Sequence, residues 1–395
     1  MSRPLDITLT YPACSRKPGQ TADMNRPLQE YPISAISDEL QNWLLVQLWK
    51  PCGAFLKPAS VDMTPYFNYY TKQCQRFSRE GGIHICIKSH QDLVSICENI
   101  LTEKNLTDAT RDDVSSYIRT QLTGVNADSV KKVNATVDLC ASLLVMAKIG
   151  VPEFSYSGSN HLTWSSPQTL RQAIERHFQP ERQLQPDNPR LGRHFTARNL
   201  SSMCGIKIAW TSNIIDHLLL SDDDQTVFIF HQCDFLRYQQ WYGPSLYLVA
   251  DNLTSLLSFT NPIFPDLFID ETLRTIALLF PQNDGKSRRW LRGQISKQSL
   301  DPSIAQCGNL RAQNRRFAQF CFWHDRLIIL KQAFDESKPR ELTHWWNDQR
   351  NSVQWYTFWV AILVFVMTLF FGLVQSIEGA LQVYLSWKAL AREGS

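Results

Sequence analysis

The sequence predicts an α+β protein with a mainly helical soluble body, a long membrane-proximal helix and a single transmembrane helix. Three observations predict this fold class. The 395-residue chain is 44% hydrophobic and contains 12 Trp, enough for a packed core. Most segments with a clear apolar pattern have helical spacing, and only three read as short strands. Near the C-terminus, residues 353–374 carry no charge.

The apolar segment that begins at Trp355 and ends at Val374 is the strongest single feature of the chain. Its 20 residues reach roughly 30 Å as a helix, which is the thickness of the hydrocarbon core of a bilayer. Aromatic residues flank it as in membrane interfaces, at Tyr356, Trp359, Tyr384 and Trp387. A buried helix of a soluble protein is the alternative, but such a helix rarely stays apolar on every face.

The helix is expected to continue through residue 387 with a polar stripe on one face. Gln375, Glu378 and Gln382 recur at spacings of three and four, with Gly372 and Gly379 beside them. Two interpretations stay open. The stripe is either the interfacial end of the span, with Glu378 reaching the headgroups, or a seam that binds a second helix or a second copy of the chain.

The body is predicted to lie in the cytosol. The N-terminus has no apolar segment typical of a secretory signal. The ten Cys are scattered without a CxxC pair, as expected for thiols in a reducing compartment. Three basic residues precede the span within twenty positions and two follow it, a weak positive-inside bias toward the same topology.

Composition and pattern divide the chain into segments. We predict a flexible N-terminal arm (1–35), a mostly helical region (36–180), an α/β and helical region (195–308), a membrane-proximal helical region (309–350), the transmembrane helix with its interfacial end (353–387) and a short tail (388–395). Capping residues and apolar spacing predict helices over 37–49, 89–103, 107–122, 128–149 and 165–178, and alternation predicts a strand over 83–87.

Residues 195–236 form the most patterned stretch of the body. They predict a helix over 196–204, a strand over 206–210, a helix over 212–220, an acidic turn at 222–224 and a strand over 226–231. This order is compatible with a winged-helix-like module, although it also occurs in many other α+β domains.

A basic segment precedes the membrane-proximal region. Residues 286–316 contain eight cations and one acid, Asp301. The cations are Lys286, Arg288, Arg289, Arg292, Lys297, Arg311, Arg315 and Arg316. Such a segment close to a span is expected to contact anionic lipid headgroups. A surface for a partner protein and a plain solvated face are the alternatives, and attachment to a membrane argues against nucleic acid.

No catalytic signature occurs in the sequence: there is no P-loop, GxGxxG, GxSxG or HExxH motif. Asp216, His217 and His231 come closest to a metal-binding constellation, and the acidic residues 222–224 come next. Both groups are more typical of structural residues. We therefore predict no catalytic residue, no cofactor and no metal.

Two stretches resemble a known family. They contain FTARNL, GIKIAWTSNIIDHL and DDDQTVFIFH within 195–236, and HDRLIILKQAFDESKPRELTHWWNDQRNSVQWYTFWVAILVFVMTLFFGLVQSIEGALQVY within 323–387. These two stretches resemble a large family of uncharacterised membrane-anchored proteins of filamentous fungi. The resemblance implies a soluble α/β body, a long membrane-proximal helix and one span, and it supplies no catalytic residues. Some members of such families lie in accessory gene clusters that affect hyphal surface, colony or biofilm morphology.

The sequence favours a non-enzymatic, single-pass, tail-anchored protein whose body binds a partner or organises others at a membrane. An enzyme with an unrecognised site in the body is one alternative. An oligomeric ion channel or a divalent-cation transporter-like subunit is another, with Gln375, Glu378 and Gln382 lining a pore. The transporter alternative fits poorly with the CorA type. Transporters of that type need two spans with a Gly-Met-Asn loop between them, whereas this sequence has one span and no such tripeptide.

Overall fold

The computed structural model describes residues 36–49, 61–78, 85–101, 109–121, 127–150, 160–179, 184–186, 189–221, 225–242, 263–337 and 352–393. The predicted N-terminal arm, the acidic turn at 222–224 and residues 338–351 lie outside these ranges.

Helices dominate the described residues, together with one small sheet. In chain order the elements are α1 (Asp38–Leu48), α2 (Thr64–Ser78), α3 (His90–Leu101), α4 (Arg111–Gln121), α5 (Ala127–Val145), α6 (Leu170–His177), α7 (Ala197–Cys204), β1 (Lys207–Thr211), β2 (Thr226–Phe230), α8 (Cys233–Tyr242), α9 (Phe268–Leu279), α10 (Gly285–Gln298), α11 (His324–Glu336) and α12 (Ser352–Glu393). The prediction of a mainly helical α+β chain ending in one long apolar helix is confirmed at this level.

The first half of the body packs around α5. Helices α2, α3 and α4 all contact it, and its side chains Val133, Val137 and Leu144 are fully buried. Local caps start the surrounding helices as predicted. The Ser37 hydroxyl accepts a hydrogen bond from the N–H of Leu40 (3.3 Å), and Ser89 and Asp92 cap each other reciprocally.

The second half contains the two strands, which pair in parallel from Lys207 opposite Thr226 to Thr211 opposite Phe230. The helix predicted over 212–220 is wrong, because only a 3-10 turn at Ile214–Asp216 forms there. Leu218 has a φ of 59°, a left-handed conformation that an α-helix does not allow. Beyond it the chain folds back on β2, and Leu220 bridges Val227 in antiparallel fashion. The second helix of a winged-helix module is therefore missing from this stretch, and that interpretation is not confirmed.

Several other boundaries differ from the prediction. Residues 85–87 are not a strand, and the helix predicted from 165 begins at Leu170, where Thr169 and Gln172 form a capping box. In the membrane-proximal region, residues 309–323 are largely irregular with 3-10 turns at Ala312–Asn314 and Phe317–Gln319, and the helix starts only at His324. Sequence reasoning missed helices α2, α8 and α10, although α2 buries an apolar stripe formed by Tyr66, Phe67, Tyr70 and Cys74.

Candidate membrane anchor and basic surface

Helix α12 extends over 42 residues, about 60 Å at the rise of an α-helix. The most apolar 18-residue window of its segment Tyr356–Lys388 has a mean hydropathy of 2.5, and the segment is long and apolar enough to cross a membrane. Core helices of soluble proteins reach similar hydropathy, but they are mostly buried. In the most apolar window of this segment, 0% of the residues are buried. Phe365 and Phe371, for example, are more than half exposed.

The predicted stripe lies on this exposed helix. At 100° per residue, Gly372, Gln375, Glu378, Gly379 and Gln382 fall within an arc of about 120°, and all five are exposed. A Cβ atom built at Gly372 or Gly379 meets nothing within 4 Å. The structure therefore places the five residues on one open face of the helix.

Five of the eight predicted cations lie on α10. Its buried Ser287 and Leu291 face the body, and Trp290 stacks on Phe280 with ring centroids 6.4 Å apart. The opposite, solvent-facing half carries the exposed side chains Lys286, Arg288, Arg289, Arg292 and Lys297. We call these five residues the cationic face. The apolar residues of the basic segment turn inward, so an interaction through this face is electrostatic.

The other three cations do not extend the cationic face as one surface. Arg311 and Arg316 are exposed at 3-10 turns, whereas Arg315 is half-buried. The carbonyl of Arg315 accepts a hydrogen bond from the N–H of Leu191 (2.8 Å). Arg315 lies instead beside residues 192–199, which the sequence window of the basic segment does not include.

Asp301, the acid of the basic segment, is turned away from these cations. It is 1% exposed, and its carboxylate accepts hydrogen bonds from the N–H groups of Asp234 and Ser303, both at 2.8 Å. Burial is the main reason why the pKa of Asp301 rises to about 6. Because this carboxylate is buried and bound to backbone N–H groups, the basic segment supplies no acid that neutralises the cationic face.

The histidines and acids singled out in the sequence have structural partners. His217 is fully buried; its Nδ1 accepts from the N–H of Phe230 (3.1 Å) and its Nε2 donates to the Thr275 hydroxyl (2.7 Å). Burial, with the Arg326 charge, lowers the pKa of His217 to about 3. Asp216 accepts from the N–H of Asn160 (2.8 Å). Within the described ranges no three His, Cys, Asp or Glu side chains are grouped to hold a metal ion.

Sequence reasoning missed one polar pair at the carboxyl ends of the strands. The hydroxyl of Ser212 lies 3.3 Å from Nε2 of His231, a spacing found in nucleophile–base pairs. The N–H of Asp301 donates to Nδ1 of His231 (3.4 Å), so the ring proton lies on Nε2. Burial also lowers the pKa of His231 to about 4. This tautomer donates to Ser212 and does not accept its proton, which gives the enzyme alternative no support here.

Comparison with protein-family models, with curated proteins and with solved structures finds no match. The resemblance to filamentous-fungal proteins stays a prediction. Function is therefore inferred from the apolar helix, the cationic face and the charges around it.

Proposed function

We propose that this chain is a single-pass, tail-anchored membrane protein with a cytosolic body, and that it acts as a non-enzymatic interaction or scaffold protein. One observation carries the proposal: the apolar segment Tyr356–Lys388 has no buried residue in its most apolar window. An exposed apolar surface of this length is unfavourable in water, at about 25 cal/mol for each Å². A bilayer removes that cost and satisfies the backbone through the helix's own hydrogen bonds.

Charges placed in the middle of the segment test the anchor. Replacing Phe365 and Leu369 together by Lys is expected to cost about 5–7 kcal/mol of insertion free energy. The wild-type chain should stay in the membrane pellet after alkaline extraction, and the double variant should be released. Val130→Lys, at an exposed position of the body, is the matched control and should remain in the pellet. Release of the wild-type chain by alkali would contradict the anchor.

The same membranes test the orientation. In sealed vesicles with the cytosolic face outward, added protease is expected to remove an N-terminal tag and to leave a C-terminal tag intact. The reverse pattern would place the body on the other side of the membrane.

The cationic face is proposed to lie on anionic headgroups, since each cation near such a surface contributes about 1 kcal/mol. In the full chain reconstituted into vesicles, phosphatidylserine should slow amide hydrogen exchange in Gly285–Gln298. Replacing Arg288, Arg289 and Arg292 together by Gln should abolish that protection, whereas Lys131→Gln on the exposed side of α5 should not. Equal exchange in neutral and anionic vesicles would refute the lipid contact.

The stripe on α12 is proposed as the surface for a second helix, because small residues allow close backbone approach. Gly372→Ile with Gly379→Ile is expected to convert a dimer or larger oligomer to a monomer in neutral detergent. The control is Ala380→Ile, which lies outside the stripe's arc. An unchanged size in the double variant would leave the stripe as the interfacial end of the span. A monomeric wild-type chain would also remove the channel alternative, because one helix does not enclose a pore.

A further inference from the structure

A polar cleft of about 590 Å³ opens where α7 and α10 begin. Four cations line it, namely Arg193, Arg198, Lys286 and Arg315, against one acid, Asp284. The volume lies within the range of small-molecule sites in proteins. None of the four cations forms an ion pair with any residue that the structure describes. The cleft therefore holds an excess of positive charge.

Two helix N-termini add to this charge. Helix α7 starts beside the cleft after Thr196, whose hydroxyl accepts from the N–H of Asn199 (3.3 Å). Helix α10 starts after Asp284, whose carboxylate accepts from the N–H of Lys286 (3.0 Å). The positive ends of both helix dipoles thus lie at the cleft. Asp284 already caps that of α10, so the end of α7, which is capped only by a neutral hydroxyl, is the one that favours an anion.

Asp284 only partly offsets the cations, because its carboxylate is engaged with its own helix. Besides the N–H of Lys286, it accepts from the Ser287 hydroxyl (2.5 Å). Burial alone would raise the pKa of Asp284, but these hydrogen bonds and the Arg198 charge lower it. The carboxylate acts as an N-cap, which leaves the guanidinium groups for a ligand.

Arg315 provides the most specific observation. Its Nε is buried and has no hydrogen-bond partner among the described residues, although a buried donor of a charged group normally has one. Its backbone is fixed by the hydrogen bond from Leu191 (2.8 Å). Arg315 therefore lines the cleft with a guanidinium group that is not fully paired within the body, and an anion bound beside it would compensate this charge.

We propose that this cleft binds a phosphate ester or polyphosphate group. Phosphate carries several acceptor oxygens and, as a monoester, up to two negative charges. This matches the guanidinium donors and the N-terminus of α7, which converge from two parts of the chain. The exposed amides Asn283 and Asn309 also line the cleft and suit the hydroxyl groups of a phosphorylated small molecule. The group belongs either to a soluble molecule or to a lipid headgroup. The proposal goes beyond the membrane anchor and does not depend on it.

The test uses the full chain in neutral detergent micelles, titrated calorimetrically with pyrophosphate. Arg198→Gln and Arg315→Gln are each expected to weaken binding about tenfold or more, since each removes a charge-assisted hydrogen bond. Arg292→Gln is the matched control, because Arg292 is exposed on α10 but does not line this cleft. Arg198 is half-exposed, so its variant keeps the test valid if Arg315→Gln fails to fold.

Further probes identify the source of the group. Citrate tests anionic charge without phosphorus, and nanodiscs with or without a phosphatidylinositol phosphate present the headgroup. Pyrophosphate binding that depends on Arg198 supports a soluble ligand. Weak pyrophosphate binding with Arg198-dependent binding to phosphoinositide nanodiscs supports a headgroup. The proposal is overturned if neither probe binds, if citrate binds as tightly, or if Arg292→Gln loses as much affinity. The anchor is tested separately by extraction, so either proposal can fail alone.

Discussion

Replacing Glu271 by Ala is expected to lower the free energy of unfolding of the body by about 3–5 kcal/mol. Glu271 is 4% exposed. Its carboxylate accepts three backbone hydrogen bonds from the turn before α11, from the N–H groups of Cys321 (2.7 Å), Phe322 (2.8 Å) and Trp323 (2.9 Å). Alanine leaves these N–H groups without their acceptor, and each unsatisfied buried donor costs about 1–3 kcal/mol. Entry of water reduces the total below the simple sum.

The measurement is thermal unfolding of the full chain in neutral detergent, followed by near-ultraviolet circular dichroism. Glu271→Gln keeps one acceptor oxygen and should lie between the wild type and Glu271→Ala. The adjacent Asp270→Ala is the matched control. Its side chain is 50% exposed and 3.8 Å from Arg274, and exposed pairs contribute at most about 1 kcal/mol. A Glu271→Ala variant as stable as Asp270→Ala would show that the carboxylate does not hold this turn.

The size of this effect follows from what Glu271 positions. Trp323 is fully buried, and its indole N–H donates to the Thr272 hydroxyl (3.0 Å). The ring of His217 packs edge-on against it at 4.8 Å, and the Arg326 guanidinium lies 5.4 Å from its centroid. One carboxylate on α9 thus fixes the start of α11, the last described helix before α12.

Sequence reasoning did not find this contact. Glu271 stands in the first turn of α9, where an acid normally indicates a favourable interaction with the helix dipole. Its partners lie about fifty residues later in the chain, beyond the reach of a local pattern. Neither composition nor spacing distinguishes a solvated first-turn acid from one that binds a distant backbone.

Local features were predicted well because all of their interacting groups are close together in the sequence. The caps at Ser37 and at Ser89 with Asp92 form within three or four residues of each other, so the sequence window contains every group involved. The apolar run of α12 is likewise a property of consecutive residues. Whether that helix lies in a bilayer is not a local property, and it stays part of the proposal.

The failure at 212–220 shows a tertiary contact overriding a helical pattern. Ile214, Ile215 and Leu218 have the spacing of an apolar helix face. The side-chain amide of Asn213 instead donates to the Asp216 carboxylate (2.8 Å), and the N–H of Leu218 donates to the carbonyl of Phe228 on β2 (2.8 Å). The sheet supplies backbone partners that compete with the helix, and the pattern alone does not reveal them.

The basic segment was recognised as charge, but its division was not. Five cations share the solvent side of α10, whereas Arg315 joins Arg193 and Arg198 from more than a hundred residues earlier. A charge count over consecutive residues treats all eight cations as one surface. The fold divides the cations between the solvent side of α10 and the cleft, and Lys286 belongs to both.

Acidification is expected to unfold the body, and three buried histidines are the reason. Burial lowers the pKa of His90 to about 4, of His217 to about 3 and of His231 to about 4. The ordinary value is 6.5, so between about pH 4 and 6.5 the unfolded chain binds more protons than the folded one. The contribution of the three neutral histidines to the free energy of unfolding is therefore fully present above about pH 6.5 and is lost as the pH falls below that value.

The expected loss at about pH 5 is about 2 kcal/mol for each histidine, or about 6 kcal/mol in total. Asp301 acts in the opposite direction. Because its folded pKa is raised to about 6, its protonation below that pH stabilises the folded state by about 1 kcal/mol at pH 5. Burial raises the pKa of Glu271 as well, which adds a contribution of the same sign. The histidines outweigh both acids, and the net loss approaches the whole stability of many domains.

The pH dependence of the unfolding temperature between about pH 7.5 and 5 measures this effect. The wild-type curve should fall steeply below about pH 6.5. His231→Gln does not titrate, so its curve should start lower at neutral pH but fall less steeply, by roughly one third of the histidine contribution. The exposed His194→Gln is the control and should keep the wild-type slope. A flat wild-type curve over this range would mean that the three rings find water or new acceptors when protonated, which contradicts their burial against Tyr70, Thr275 and Ser212.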